Sequence, residues 1–388
     1  MRKNFFKNGI GIYKNKNGET KMRLFKQVFL WMLLLLLESG LAWAADENTF
    51  ENPGDAQIHW GVSPIFYSEP ETGVAIGGYV MGYQNSDPAL SKVKQNTYDG
   101  MLIYTQKDQV ICNLDGTKYF QGDRLLMTAS GSFADYPSEF FGIGPNTDED
   151  RKEDYTFVEK AFTGSLLYKI SSNLYGGPFI NYGQYDITER KTGGILATGG
   201  INGADGTTVV GAGLKLLLDT RDDNFNPGHG SYLDAQAIAY RRDLGCDEDF
   251  SQFEVTFKHF WPLRRTGTFA VMSLLTLSEG SVPFEMLPCL GGDTIMRGYY
   301  SGLYRDNDYA AIQGEYRYPM GSRVSGVFFA GIGEIAPEVG DFTVDHLKVA
   351  GGFGFRFQLY PKQKLKLRLD TGISETGTCT YLNFMEAF

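Results

Sequence analysis

From residue 57 onward the chain alternates apolar and polar residues with a period of two, in segment after segment. Phe353, Phe355, Phe357 and Leu359 alternate with Gly354, Arg356 and Gln358, and Leu365, Leu367 and Leu369 alternate with Lys366, Arg368 and Asp370. Phe253, Val255 and Phe257 alternate with Glu254, Thr256 and Lys258, and Ile312, Tyr316 and Tyr318 with Gln313, Glu315 and Arg317. Successive side chains of a strand point to opposite faces, so each such segment reads as a strand with one apolar and one charged face. Sixteen segments qualify: 57–67, 72–84, 96–106, 109–120, 123–135, 156–171, 173–188, 207–222, 230–243, 249–262, 267–279, 309–320, 322–335, 348–360, 365–375 and 380–388. Several exceed the ~5–6 residues of a soluble strand and approach the ~9–11 that cross a bilayer at a tilt.

The connections sort by length. If the first strand rises from the periplasm, the odd-numbered connections face outside, and these include the long, Gly- and charge-rich stretches 136–155, 189–206, 280–308 and 336–347. The even-numbered ones include the tight turns 121–122, Ser172, 263–266, Gly321 and 361–364, with 85–95 as the exception. Long outer loops and short periplasmic turns are the parity of a membrane barrel, and a soluble sandwich has no reason to adopt it. Composition agrees. Aromatics at 14% exclude a disordered chain, 4 Cys exclude a disulfide scaffold, and 48 Gly exclude a helical bundle. A net charge of −10 argues against a nucleic-acid partner, which requires a basic face. The expected fold is all-β: a sixteen-stranded antiparallel transmembrane β-barrel over 57–388.

Residues 1–44 read as a polar extension plus a secretory signal peptide, with Met1 or Met22 as the start. Arg23 and Lys26 precede an apolar core at Val28–Leu37, and Ala42-Trp43-Ala44 forms the exit. That core is too short for a transmembrane helix. Residues 45–56 are expected to form a periplasmic lead too short for a folded domain.

Segment 290–306 reads Leu-Gly-Gly-Asp-Thr-Ile-Met-Arg-Gly-Tyr-Tyr-Ser-Gly-Leu-Tyr-Arg-Asp. Here the chain resembles the BamA/TamA-like assembly factors of the bacterial surface antigen family, whose sixth external loop carries a Gly-Gly…Arg-Gly-aromatic motif. Tyr67–Gly73, Leu218–Gly230 and Gln313–Pro319 resemble that family's first hairpin, a periplasmic turn and strand 12. The resemblance implies an inward-folded sixth loop locked by Gly291, Gly292, Arg297, Gly298 and Tyr299, with Arg297 meeting acidic groups of the inner wall. A guanidinium suits that task, being always charged and offering a rigid fork of donors. The family's aromatic-x-Asp-x-Gly pattern departs here, since Phe329-Ala330-Gly331 places Gly331 where Asp is usual. Glu315, Glu334 and Asp370 are the candidate lumenal partners in its stead. Phe384 and Phe388, on an amphipathic final strand, resemble the insertion signal that barrel-assembly machinery reads, with Glu386 placed on the same apolar row near the interface.

The resemblance further implies membrane-protein assembly or translocation at the bacterial outer membrane, through a weak seam between the first and last strands. Outer-membrane lipids, the barrel-assembly machinery for its own insertion, and client or partner proteins are the implied partners. No polypeptide-transport-associated (POTRA) repeat is expected in the chain, and a passive channel or structural barrel plugged by its sixth loop is the alternative. No catalytic residue, cofactor or metal is expected. Asp219, Asp222, Asp223, Asn224 and Asn226 lack EF-hand spacing and read as a turn. Cys112, Cys246, Cys289 and Cys379 form no C-x-x-C, and three pairings stay open. No nucleophile elbow, Walker loop or H-E-x-x-H is found, so an enzyme is not expected.

Overall fold

A computed structural model describes residues 58–84, 95–224, 226–263, 267–360 and 365–388. The signal peptide and lead predicted for 1–56 lie outside the described residues. The strands are β1 (His59–Glu69), β2 (Gly73–Gln84), β3 (Asn96–Thr105), β4 (Val110–Phe120), β5 (Leu125–Phe140), β6 (Glu153–Ser171), β7 (Leu174–Arg190), β8 (Thr207–Asp219), β9 (Gly230–Tyr240), β10 (Phe250–Leu263) and β11 (Gly267–Gly280). After the two short strands β12 (Cys289–Leu290) and β13 (Tyr304–Arg305) come β14 (Asp308–Pro319), β15 (Val324–Ala336), β16 (Lys348–Tyr360), β17 (Leu365–Ser374) and β18 (Gly377–Phe384). All but β12 and β13 form one closed antiparallel barrel, in which β11 pairs with β14 and β18 returns to β1. Sixteen strands close it, as the alternation and loop parity predict.

The barrel is inside-out relative to a soluble core. Phe353, Phe355 and Phe357 of β16 are each 45% exposed, whereas Arg356 between them is 1% exposed. On β17, Leu369 and Ile373 face outward while Arg368 and Asp370 are buried. Apolar side chains on the outer surface need a hydrocarbon solvent, and charged side chains within need one another. No helix among the described residues is long and apolar enough to span a membrane.

Strand ends differ from the periodic reading where side chains outside the pattern extend or stop a ladder. β5 continues to Phe140 and pairs with β6 from Leu125↔Tyr168 to Phe140↔Glu153. The Tyr136 and Phe157 rings meet at 5.5 Å, so Pro137 does not end the pairing. The last strand was expected over 380–388 but runs Gly377–Phe384. Met385 adopts a left-handed φ of 66° and reverses the chain. Phe388 is therefore buried instead of lying on a lipid-facing row. Glu386, expected near the interface, is turned inward as well.

Two larger apolar clusters lie within, besides a small one of Leu126, Leu167 and Tyr175. One of the larger joins the connection 281–307 (Leu290, Ile295, Met296, Tyr299, Leu303) to Phe260, Met272, Tyr309, Ile335 and Phe388. The other gathers the outer ends of β5 to β7 with the connections 191–206 and 281–307, through Phe140, Tyr155, Leu196, Val282, Phe284 and Leu287.

Candidate functional site

The connection 281–307 owes its shape to short-range chemistry. Pro283 precedes a single 3-10 turn at Phe284–Met286. Cys289↔Arg305 and Leu290↔Tyr304 then pair β12 with β13, so the segment doubles back with 291–303 as its tip. Gly291, Gly292 and Gly298 have φ of 105°, 116° and 127°, a region that disfavours other residues. A Cβ on Gly298 would come within 3.0 Å of the Ile373 backbone nitrogen, so the tip lies directly on β17. The contact is sealed by hydrogen bonds. Ser374 Oγ donates to the Gly298 carbonyl at 2.7 Å, and the Tyr299 hydroxyl donates to the Val349 carbonyl at 3.1 Å. The Tyr381 hydroxyl accepts from Gly298 N–H and donates to the Tyr299 carbonyl.

This tip delivers Arg297 to the inward rows of the barrel, where it is fully buried. Nη1 donates to Asp370 Oδ2 at 2.5 Å and Nη2 donates to Glu315 Oε2. The guanidinium lies 3.7 Å above the Phe329 ring. Of the three candidate partners, Glu315 on β14 and Asp370 on β17 meet Arg297. Glu334 accepts from Thr343 N–H at 2.8 Å and holds the connection 337–347 instead. Gly331 sits opposite Gln313, and a Cβ there would come within 3.1 Å of both the Gln313 Cβ and the Ile312 carbonyl. The carboxylates that meet Arg297 thus come from β14 and β17.

The pair is part of a larger cage. Arg317 Nε donates to Glu315 at 2.6 Å, Arg356 Nη1 donates to Asp370, and Arg356 Nε donates to Glu386 at 2.7 Å. Lys366 Nζ donates to Glu386 at 2.8 Å. Burial opposes ionisation of Glu386, but Arg317, Arg356 and Lys366 outweigh it and hold its carboxyl well below the usual range. Arg317 Nη2 also donates to the Phe388 carbonyl at 2.7 Å, which ties the segment after β18 to the same cage. Arg368 completes the row by donating to Asp293 in the tip through both its carboxylate and its carbonyl. Charges buried this deeply persist only when paired and hydrogen-bonded. Arg317, Arg356 and Arg368 are legible as inward residues from the alternation, but the meeting of Arg317 and Arg356 with Glu386 depends on the reversal at Met385.

Elsewhere the residues behave as turn formers. Asp222 Oδ1 accepts from Gly228 and His229 N–H, and Asp223 Oδ1 accepts from Asn226 N–H, so these carboxylates are spent on the 220–229 turn. No group of metal-ligating side chains occurs among the described residues. The four cysteines are free. Phe384 lies on β18 with its ring 5.3 Å from Phe66 of β1, edge to face.

The Omp85 superfamily domain matches residues 97–360, more than half of the chain. Among solved structures, BamA from Haemophilus ducreyi lacking POTRA domains 1-3 is similar at a TM-score of 0.58 and 13% identity, covering 85% of this chain and 70% of that one. CdiB from Escherichia coli is similar at 0.55 and 11%, covering 86% and 66%, and CdiB from Acinetobacter baumannii at 0.51 and 10%, covering 84% and 59%. The chain thus spans less than two thirds of either CdiB. At these identities the likeness speaks for the fold alone. No curated protein matches the chain in sequence. With a closed sixteen-stranded barrel, an apolar outer surface and that domain match, the chain belongs to the Omp85 superfamily and is a barrel of the bacterial outer membrane.

Proposed function

We propose that this protein aids insertion or translocation of outer-membrane components through its β1–β18 seam, with the 281–307 connection locked across the barrel by Arg297. The observation that carries this reading is the seam itself. Among the described residues, β1 and β18 register only at Ser68↔Leu382, whereas β17 and β18 register from Leu367↔Phe384 to Ser374↔Gly377. β18 ends at Phe384, so the first half of β1 has no described strand on that edge. Unpaired backbone groups in hydrocarbon cost several kcal/mol each, so an incoming strand that satisfies them is favoured there. Membership of the Omp85 superfamily supports the same role.

Purified protein in liposomes, challenged with an unfolded outer-membrane barrel, provides the test. Faster client insertion than in protein-free liposomes is expected. A steady open conductance with no effect on insertion would favour the passive-channel alternative. The same reading makes residues 1–44 a leader and 45–56 a periplasmic lead, so N-terminal sequencing of the membrane form is expected to begin at Ala45.

A further inference from the structure

The seam closes with almost no ladder, and the side chains around it show what replaces the missing backbone pairs. Asn383 of β18 points inward, and its amide nitrogen donates to Glu69 Oε1 of β1 at 2.8 Å and to Asp293 Oδ2 of the 281–307 tip at 2.9 Å. An amide nitrogen has two hydrogens, so both are committed. Asp293 is held in turn by Arg368 of β17, which donates to its carboxylate and to its carbonyl. One step away, Ser301 N–H of the same tip donates to Glu71 Oε1 at 2.6 Å, at the outer end of β1. The tip therefore touches β17, β18 and the β1–β2 turn together, at the height where the backbone register thins to Ser68↔Leu382.

We infer that Asp293 and Asn383 form a clasp with Glu69 and Arg368, and that this side-chain bridge, routed through the loop tip, holds the β1–β18 seam shut. The clasp rests on the seam reading above and names what regulates it. Its chemistry is conditional by construction. Two carboxylates converge on one neutral amide, and Arg368 donates a hydrogen bond to Asp293 while Glu69 takes its hydrogen bond from Asn383. Withdrawal of the tip removes one of the two acceptors of Asn383 and frees the Glu71 contact in one movement. Seam opening and loop displacement thus become a single event. Arg297 pairs with Glu315 of β14 and Asp370 of β17, and Arg368 stands between Asp370 and Asp293, so the clasp is tested at Asp293 and Asn383, which lie outside the Arg297 pairs.

The test uses full-length protein with its native cysteines replaced by serine. Spin labels at Val62 and Leu369, both outward-facing, report the seam; a second pair at Ile180 and Leu214 reports the intact β7–β8 ladder. Asp293→Ala is expected to raise the long-distance population at the seam several-fold while leaving the β7–β8 pair unchanged. Asn383→Asp keeps the side-chain shape, removes both donors and places a third carboxylate in the clasp, so it is expected to open the seam as well. Parent-like seam distances in both variants would overturn the clasp. Equal widening at both label pairs would mean general loosening and would overturn it too. A Ser68→Cys/Leu382→Cys disulfide that left client insertion intact would instead remove the seam reading, while the clasp distances would stand.

Discussion

Arg297 illustrates how a buried cation is held in a membrane barrel. Its two terminal nitrogens go to carboxylates on different strands and its face covers Phe329, so position and orientation are fixed together. Arg297→Ala leaves two buried carboxylates short of a partner, and losing one member of a buried ion pair costs about 3–5 kcal/mol. The expected outcome is loss of resistance to unfolding in warm detergent, read as the temperature at which the folded band disappears on a gel. Arg297→Lys is expected to fall between, since an ammonium cannot bridge both carboxylates in a fork. Glu285, in the 281–307 connection, supplies a pH prediction. Removal from water pushes its carboxyl up to about 7, against the pull of Arg305 and a hydrogen bond from Tyr155. Between the ordinary carboxylate value and about 7 the folded protein holds a proton that the unfolded chain releases, so stability falls as pH rises through that window. Glu285→Gln is expected to flatten that slope when unfolding temperature is measured between pH 4 and 8.

At the scale of elements, the alternating strands were the most legible part of the chain, because a lipid-facing row and a wet row impose opposite chemistry on neighbouring residues. The ends were less so. β5 outran its pattern because Tyr136 and Phe157 continue the ladder past a proline, and β18 stopped early because Met385 turns left-handed. That single residue moved Glu386 from an apolar row into a cluster of Arg317, Arg356 and Lys366, which parity alone would not reveal. The Arg297 motif was readable, and so were Glu315 and Asp370 as inward carboxylates. Which of the acids meets Arg297 depends on barrel closure, and Glu334, legible by the same rule, serves another loop. Gly298→Ala tests the tip as an element. A left-handed φ with a Cβ forced onto β17 costs about 1–3 kcal/mol in strain. Proteolysis within 281–307 is expected to become faster in that variant, with the rest of the barrel still protected.

Across the whole molecule, apolar side chains face outward and an ionic cage lies within, so the barrel is stable only with lipid outside and its charges paired inside. Strength is unevenly distributed around it. Every described neighbour pair but one carries an extended ladder, and the exception is the seam, where side chains and the loop tip span the gap. On the reading proposed above, that line is where the barrel opens. Ser68 and Leu382 are directly opposed in an antiparallel pair, a spacing a disulfide can bridge. Client insertion by the Ser68→Cys/Leu382→Cys protein, measured in liposomes before and after reduction, therefore tests the central claim most directly. Insertion blocked by the disulfide and restored by reductant is the expected result; insertion at the parent rate with the seam covalently closed would contradict it.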